Sequence, residues 1–354
     1  MGKMDANSDA TPSSRLEAAA AGPVRVSVRV MATVDLVAWD DFAQRCRASF
    51  PSAGIMVRLN RLRGRVLAME FFLDQPDGPD RKIGQCALAI RGAKRIFLDS
   101  LILAPGCKDF WHDCFALAIA TAGPGHYRYG SNWTVETDYP GKILAIPGVV
   151  PTGDVGGYQD VVDFRRWASF EEYVKGVSAN IRRNVAAVEK MSEPPRIEEY
   201  RGLAIFRAMH HLSLLRRAVL AKRGVRINLV TDYLARAVKI VIFRRYARMT
   251  LLRHGGKVHS VFYGIAYGPT LHYNAGATLP EINGLGPYMF IHLIRRWFGE
   301  HPDGRLLMGF VDGRGIDDKD RSGPLLFRQK LRAMSCDGGP FGFDVVQIRP
   351  TSHR

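Results

Sequence analysis

Residues 258–299, VHSVFYGIAYGPTLHYNAGATLPEINGLGPYMFIHLIRRWFG, combine three patterns that together specify a mixed fold. Val258–Tyr267 and Thr270–Ala277 are rich in β-branched and aromatic residues, which is typical of strands, and a Gly-Pro pair forms the turn between them. The loop Leu279–Gly286 follows, and the apolar spacing of Tyr288–Gly299 predicts a helix. Two antiparallel strands, a glycine-containing loop and a helix therefore occur in that order.

The flanking sequence extends this unit on both sides. A Gly-Gly turn joins the first strand to a preceding strand, Arg248–Arg253, and Arg305–Phe310 predicts one more strand after the helix. Three helices are predicted upstream, over Ser169–Met191, Leu203–Arg223 and Thr231–Tyr246. An antiparallel meander that passes into a parallel strand–helix–strand unit is a mixed α/β arrangement, α+β-like rather than doubly wound.

The first part of the chain repeats this order of elements, roughly 180 residues earlier. Three strands are predicted over Val66–Leu73, Ile83–Ile90 and Arg95–Leu103. A helix over Asp109–Thr121 and a strand over His126–Tyr129 follow. The sequence therefore predicts two tandem units, each a mixed sheet with an antiparallel meander and flanking helices.

The domain limits follow from composition. Residues 1–22 are rich in Ser, Ala and Asp and lack a compact apolar segment, which indicates a disordered leader rather than a signal peptide. The Gly- and Pro-rich stretch Pro140–Gly157 is the expected connection between the units. We expect a first domain over 23–150, which shapes the acceptor site or is structural, and a second domain over 151–354, which carries the transfer site.

Composition and charge limit the function further. Apolar residues make up 47% of the 354 residues and charged residues 24%, as in soluble globular proteins, and no run of about 18 apolar residues occurs. The five cysteines lack a zinc spacing, so we expect no metal and a cytoplasmic location, with peripheral attachment to the inner membrane as an option. Of the net charge of +16, Ser178–Lys257 contributes +13. This basic segment favours tRNA, a nucleotide cofactor or an anionic membrane surface, or it is a solvated helix surface.

Four short segments resemble one known family. Ser169–Tyr173 (SFEEY) with Asn180–Asn184 (NIRRN), the hairpin Met249–Tyr267, the loop and helix Leu279–Phe298 and the segment Gly323–Leu331 (GPLLFRQKL) are similar to motifs of CelD/BcsL-like acetyltransferases. That family belongs to the GNAT superfamily and is related to the Fem-type peptidoglycan transferases. The resemblance implies a GNAT fold in each half, in which neighbouring strands splay apart and the donor's pantetheine lies in the gap. It also implies an acyl-CoA co-substrate, acetyl-CoA first, and an acceptor from polysaccharide or cell-envelope synthesis.

The donor-binding candidates lie at the predicted start of the helix after the loop. A helix N-terminus presents free backbone N–H groups that suit a pyrophosphate, glycines allow close approach, and proline fits the first helical position. An ordinary loop before a helix that begins with proline explains the same residues. The candidates are Asn283, Gly284, Gly286, Pro287 and Tyr288, with Lys330 as a phosphate clamp or as part of a solvated helix face.

The catalytic candidates are His272, Asp312 and Tyr263. His272 is the preferred general base because the unperturbed pKa of histidine lies near neutral pH, although a single histidine on a strand is often structural. Asp312 lies with two more aspartates in the loop after the last parallel strand, where it could act as base or serve turn formation. No G-x-S-x-G motif occurs, which disfavours a covalent acyl-enzyme.

The substrate-binding candidates are Arg182, Arg183, Tyr273, Asn274 and Arg328. The arginines could bind anionic groups of an acceptor or form solvated helix faces. The sequence thus predicts an N- or O-acyltransferase that uses an acyl-CoA-type donor and a sugar-like acceptor. The alternatives are a Fem-like transferase that depends on aminoacyl-tRNA, and a catalytically degenerate module that binds an anionic partner.

Overall fold

A computed structural model describes residues 25–75, 78–136, 138–152, 157–222, 224–226, 228–311 and 326–346. The predicted leader 1–22 and the candidate Asp312 lie outside these residues. In the first unit the helices and strands are β1 (Val26–Met31), α1 (Leu36–Arg45), α2 (Gly54–Arg61), β2 (Arg65–Leu73), β3 (Arg81–Arg91), β4 (Lys94–Phe97), β5 (Ile102–Leu103), α3 (Trp111–Ala122), β6 (Gly125–Tyr129), α4 (Tyr139–Leu144) and β7 (Val149–Pro151).

The second unit follows along the chain. The elements are β8 (Gly157–Asp163), α5 (Phe170–Gly176), α6 (Ala179–Glu189), β9 (Arg196–Arg201), α7 (Met209–Ala221), α8 (Leu229–Ile242), β10 (Ala247–His254), β11 (Lys257–Tyr267), β12 (Thr270–Thr278), α9 (Leu285–Glu300), β13 (Arg305–Val311), β14 (Met334–Gly338) and β15 (Phe341–Val345).

The two sheets share one plan. The first has the strand order β1-β2-β3-β4-β6-β15-β7, with β5 beside β3, and the second has the order β14-β8-β13-β12-β11-β10-β9. In each, four antiparallel strands lead into a single parallel step, β4 to β6 in the first and β12 to β13 in the second. The predicted mixed α/β class, with two tandem units, is confirmed.

One strand crosses from the second unit into the first sheet. β15, the last described strand of the chain, pairs with β6 and β7 of the first sheet. β8, which follows β7 along the chain, lies between β13 and β14 of the second sheet. The division at 150/151 therefore separates the two sheets except for Phe341–Val345, and whether each part behaves as an independent domain stays a prediction.

The faces of the second sheet are covered differently. On one face, α5, α6 and α9 enclose a core that includes Tyr173, Leu285 and Ile294. The other face packs against the first unit as well as against α7, so that Phe42 and Phe50 join a core with strand residues of the second unit. This shared core and the crossing of β15 into the first sheet hold the two units together.

Several predicted boundaries needed correction. Pro140–Gly157, predicted as the connection between the units, includes most of α4 and all of β7 and ends where β8 of the second sheet begins. The single helix predicted over Ser169–Met191 is two helices, because Val177 is extended between α5 and α6. The N-cap of α8 is Asn228, whose side chain accepts from two backbone N–H groups, rather than the Thr-Asp pair that follows.

Candidate functional site

The strands β12 and β13 separate soon after they begin to pair. Their parallel register covers three pairs of residues, from Thr270–Arg305 to His272–Leu307. Beyond this point β13 continues beside β8, while β12 continues beside β11 to Thr278. Within the described residues, the edge of β12 from Tyr273 onward thus has no strand on the β13 side. Its outward backbone N–H and C=O groups are available to an extended ligand.

The helix α9 begins directly after the loop that follows β12. Its N-cap is Gly284, with φ 94°, and its first residue is Leu285. Pro287 is therefore the third helical residue, not the first as predicted. A Cβ added to Gly284 would lie 3.0 Å from the carbonyl oxygen of Asn184 on α6, which explains the glycine. The N–H groups of Leu285 and Gly286 belong to the first turn of the helix, where no intrahelical acceptor exists.

A cavity of about 220 Å³ lies between α6 and α9. Residues one turn apart on α9 line one wall, among them Tyr288 and His292, and α6 contributes Arg182 to the opposite wall. The lining combines aliphatic side chains with cations and one carboxylate. The structure thus brings together two sequence-predicted residues, Arg182 and Tyr288, that lie more than a hundred positions apart. The full lining is Val174, Ile181, Arg182, Val185, Ala186, Glu189, Tyr288, Ile291, His292 and Arg295.

His292 was not among the sequence-predicted site residues. Burial and the neighbouring Arg295 hold the pKa of His292 below its usual value, so its imidazole is neutral near pH 7 and can accept a proton. The signal that could have found it is its position four residues after Tyr288, which places both side chains on one face of α9.

His272 is fully buried and points away from α9, toward the first unit. Its Nε2 accepts a hydrogen bond of 3.2 Å from the backbone N–H of Phe50, and its Nδ1 lies 3.1 Å from the carbonyl oxygen of Ile265. Burial lowers the pKa of His272 to about 3. Both ring nitrogens are therefore engaged in a neutral ring, which does not favour a role as general base.

The other candidates on the meander differ in their surroundings. Tyr263 is buried in the core shared with the first unit, and its hydroxyl has no hydrogen-bond partner among the described residues. Tyr273 lies one residue past the last β12–β13 pair and packs against Phe262 and Phe290 on the α9 side. Burial raises the pKa of Tyr273, so its hydroxyl stays protonated. Asn274 is exposed at a bulge, because Tyr273 and Ala275 pair with consecutive residues of β11.

The remaining candidates divide into two groups. Arg328 is held inside the fold, since its Nη1 donates to Asp160 Oδ2 at 3.0 Å and to the carbonyl oxygen of Gly309 at 3.2 Å. Arg183 and Lys330 are exposed, as are Arg182 at the cavity rim and Asn283 in the loop before α9. Arg328 therefore has a structural role, whereas the exposed side chains are accessible to a ligand.

The family comparison covers the same elements. Residues 175–302 match a family model described as "Acetyltransferase (GNAT) domain". This GNAT match runs from α5 through α9 and includes the open edge of β12, the start of α9 and the cavity. It supports an acyltransferase, and it does not distinguish the CelD/BcsL-like group within that superfamily. No curated protein matches the chain in sequence.

Solved structures extend the likeness over both units. A crystal structure of FemX has a TM-score of 0.65 at 11% identity, with 91% of this chain and 97% of that chain covered. The C-terminal domain (DUF2156) of a putative lysylphosphatidylglycerol synthetase from Agrobacterium fabrum has a TM-score of 0.52 at 13% identity, covering 88% and 92%. A conserved protein of unknown function from Bacteroides thetaiotaomicron has a TM-score of 0.53 at 9% identity, covering 91% and 100%. At these identities the likeness concerns the fold.

Two features are absent from the described part of the chain. No three His, Cys, Asp or Glu side chains there come together as a possible metal site. Within the same residues, no helix combines the length and the apolar character needed to cross a membrane.

Proposed function

We propose that the chain is an acyltransferase that moves an acyl group from an acyl-CoA-type donor to an amine or hydroxyl. The separation of β12 from β13 after His272 is the observation that carries this proposal. An extended donor arm with amide groups can pair with the open backbone edge of β12, as an added strand would. The GNAT match over 175–302 supports the same location.

Two parts of the protein suit an acyl-CoA donor, namely the open edge of β12 and the start of α9. The backbone of Tyr273–Thr278 would hold the arm, and the N–H groups of Leu285 and Gly286 would hold phosphates at the start of α9. Lys330, which is exposed, is a further candidate for phosphate binding. The donor supplies the activated thioester. The protonated hydroxyl of Tyr273, next to the point where the strands part, is a candidate donor of a proton to the leaving thiolate.

The acceptor is proposed to bind in the cavity between α6 and α9. Arg182 and Arg295 provide cations for an acceptor that carries a phosphate or carboxylate, and aliphatic side chains suit its apolar parts. His292 is a neutral base on the same wall, which could take the proton from the attacking amine or hydroxyl. These features support a sugar-like or cell-envelope intermediate with an anionic group as the acceptor class.

The test is isothermal titration of the full chain with acetyl-CoA, longer acyl-CoAs and free CoA. A Gly286→Val variant would place a branched side chain over the start of α9, and we expect donor affinity to fall at least tenfold. Gly299→Val is the matched control at the other end of the same helix, where an added Cβ meets no atom within 4 Å. Absence of binding by every acyl-CoA would refute an acyl-CoA-dependent reaction.

The exposed cations of the basic segment 178–257 support the tRNA-dependent alternative. Binding of tRNA that falls steeply as salt rises, together with no acyl-CoA binding, would favour that transferase, because phosphate contacts release counterions. Binding of an anionic polymer without any transfer activity would favour the degenerate module instead.

A further inference from the structure

The helix α8 turns a row of apolar side chains toward solvent. Val230, Tyr233, Leu234, Val238 and Val241, here called the α8 stripe, follow the spacing i, i+3, i+4, i+8 and i+11 of one helix face. Val230 is 66% exposed, and Leu234 and Val238 are each 58% exposed. A surface helix ordinarily turns such a row toward the core, but α8 buries only Ile240. The apolar face of α8 is therefore directed outward.

The inner face of α8 is anchored by charge. Asp232 accepts from Arg216 on α7 at 2.9 Å, and Arg236, one turn along α8, donates to the same carboxylate. Ser213 of α7 also donates to Asp232. These contacts fix the rotation of the helix, so the outward direction of the stripe follows from a specific set of bonds.

The segment that carries the stripe is strongly positive. The segment 202–248 contains 11 Lys and Arg residues and one acidic residue, Asp232, which gives a net charge of +10. Because Asp232 is bonded to two arginines, its charge offsets little of the rest. The elements around the stripe also expose apolar side chains, namely Leu214 on α7 and Leu203 before it. Exposed cations of the same segment include Arg217, Lys222, Arg226, Lys239, Arg244 and Arg245.

We propose that α8 and the basic surface around it bind the interface of an anionic lipid bilayer. An amphipathic helix that lies in the plane of a membrane places apolar side chains among the acyl chains and cations at the headgroups. The combination distinguishes a bilayer from RNA, since an RNA surface would use the cations but offers little to exposed valine and leucine side chains. A second copy of this chain would meet the same positive charge across the contact, which disfavours self-association.

The binding surface lies in the second unit, which also carries the proposed transfer site. Attachment would hold that unit at the membrane surface, where an acceptor with a lipid anchor is reached by diffusion in two dimensions. The surface itself uses none of the residues proposed to bind the donor or the acceptor. Binding to lipid can therefore be measured, and can fail, independently of the proposed reaction.

The experiment is co-sedimentation of the full chain with vesicles of phosphatidylcholine, either alone or mixed with phosphatidylglycerol. We expect binding to the mixed vesicles that weakens with salt, and little binding to phosphatidylcholine alone. The triple variant Val230→Ser, Leu234→Ser, Val238→Ser should bind the mixed vesicles at least tenfold more weakly. Its melting temperature should stay close to that of the wild type, because these side chains are exposed in the folded state.

The matched control replaces exposed apolar residues of the first unit, Val37→Ser and Leu62→Ser, and should bind vesicles like the wild type. The proposal is overturned if the wild type does not bind the mixed vesicles, or if the triple variant binds them as well as the wild type does. It is also overturned if light scattering shows a dimer that the triple variant loses. Loss of tRNA binding by the triple variant, without vesicle binding by the wild type, would assign the face to RNA instead.

Discussion

The backbone N–H of Phe50 donates to Nε2 of His272 across the contact between the two units, with a donor–acceptor distance of 3.2 Å. Because Nε2 accepts, the ring proton must be on Nδ1, which donates to the carbonyl oxygen of Ile265. The ring of Trp133 packs beside it, with 4.9 Å between ring centroids. His272 therefore joins β12 to the first unit as a neutral hydrogen-bonding group.

This link makes stability depend on pH. The pKa of His272 falls from 6.5 to about 3 on folding. Below pH 6.5 its imidazole is therefore protonated in the unfolded chain but stays neutral in the folded chain. Stability should therefore fall as pH drops through that window, by about 2 kcal/mol from this group between about pH 7 and about pH 5. The measurement is urea unfolding of the wild type and of His272→Gln across this range.

The glutamine variant isolates the contribution of His272, because every other ionisable group is the same in both proteins. We expect it to be less stable at neutral pH, because a buried hydrogen bond is altered, and to lose less stability on acidification. Equal losses in the two proteins would show that His272 is protonated in the folded state, contrary to its buried position.

A second link between the units centres on Asp40 of α1. Its carboxylate accepts from the hydroxyl of Tyr267 at 2.8 Å and from that of Tyr246 at 2.9 Å. Replacing either tyrosine by phenylalanine should lower the free energy of unfolding by about 1–3 kcal/mol, because a half-buried carboxylate loses a hydrogen-bond donor. A double-mutant cycle with Asp40→Asn should give a coupling energy of about 1 kcal/mol or more, and purely additive effects would contradict the contact.

The start of α9 permits a test with two glycines. Gly284→Ala should destabilise the protein by about 1–3 kcal/mol, since alanine is strained at a positive φ and its Cβ would press on the Asn184 carbonyl. Gly286→Ala is the control, because its Cβ would lie 3.4 Å from the nearest atom, in ordinary contact. We expect thermal unfolding of the second variant to match the wild type. Equal destabilisation by both would indicate a different start for α9.

Arg328 and Lys330 should respond in opposite ways to substitution. Arg328→Met leaves Asp160, which is buried, without its cation and should cost about 3 kcal/mol in unfolding free energy. Lys330→Met should leave stability unchanged to within about 0.5 kcal/mol, since the side chain is exposed. If Lys330 contacts the donor's phosphates, the same variant weakens acyl-CoA binding. Unchanged donor affinity would remove Lys330 from the proposed site.

Tyr273→Phe tests the proposed proton donor without changing the aromatic packing against Phe262 and Phe290. We expect donor binding to be retained and the transfer rate to fall about 100-fold, in line with the usual contribution of general acids. The rate should be measured with donor at saturation. A variant as active as the wild type would leave protonation of the leaving group to water or to another residue.

The meander was predictable from the sequence because its strands carry strong local patterns. Val258–Tyr267 and Thr270–Ala277 match β11 and β12 to within one residue at each end. β8 and β9 were missed for different reasons. β8 begins at the end of a Gly- and Pro-rich stretch, and β9, the edge strand Arg196–Arg201, is mostly charged, so neither shows the alternation of a half-buried strand.

The site was predictable only in part, because its geometry depends on contacts between distant segments. The glycines before α9 and the basic residues of α6 are visible in the sequence, but the cavity they border requires α6 to pack on α9. His272 shows the converse. Its residue type and strand position suggested a base, whereas its partner Phe50 lies 222 positions away in the chain and gives it a structural role.

The position of β15 in the first sheet also has a consequence for synthesis of the chain. β15 fills the place between β6 and β7, so the first sheet cannot close until residues 341–345 have left the ribosome. Until then β6 has an open edge, and β7 has no strand neighbour among the described residues. The first sheet therefore contains both the first strand and the last described strand to be synthesised. During translation the unpaired edge of β6 can therefore be bound by a chaperone or by another nascent chain.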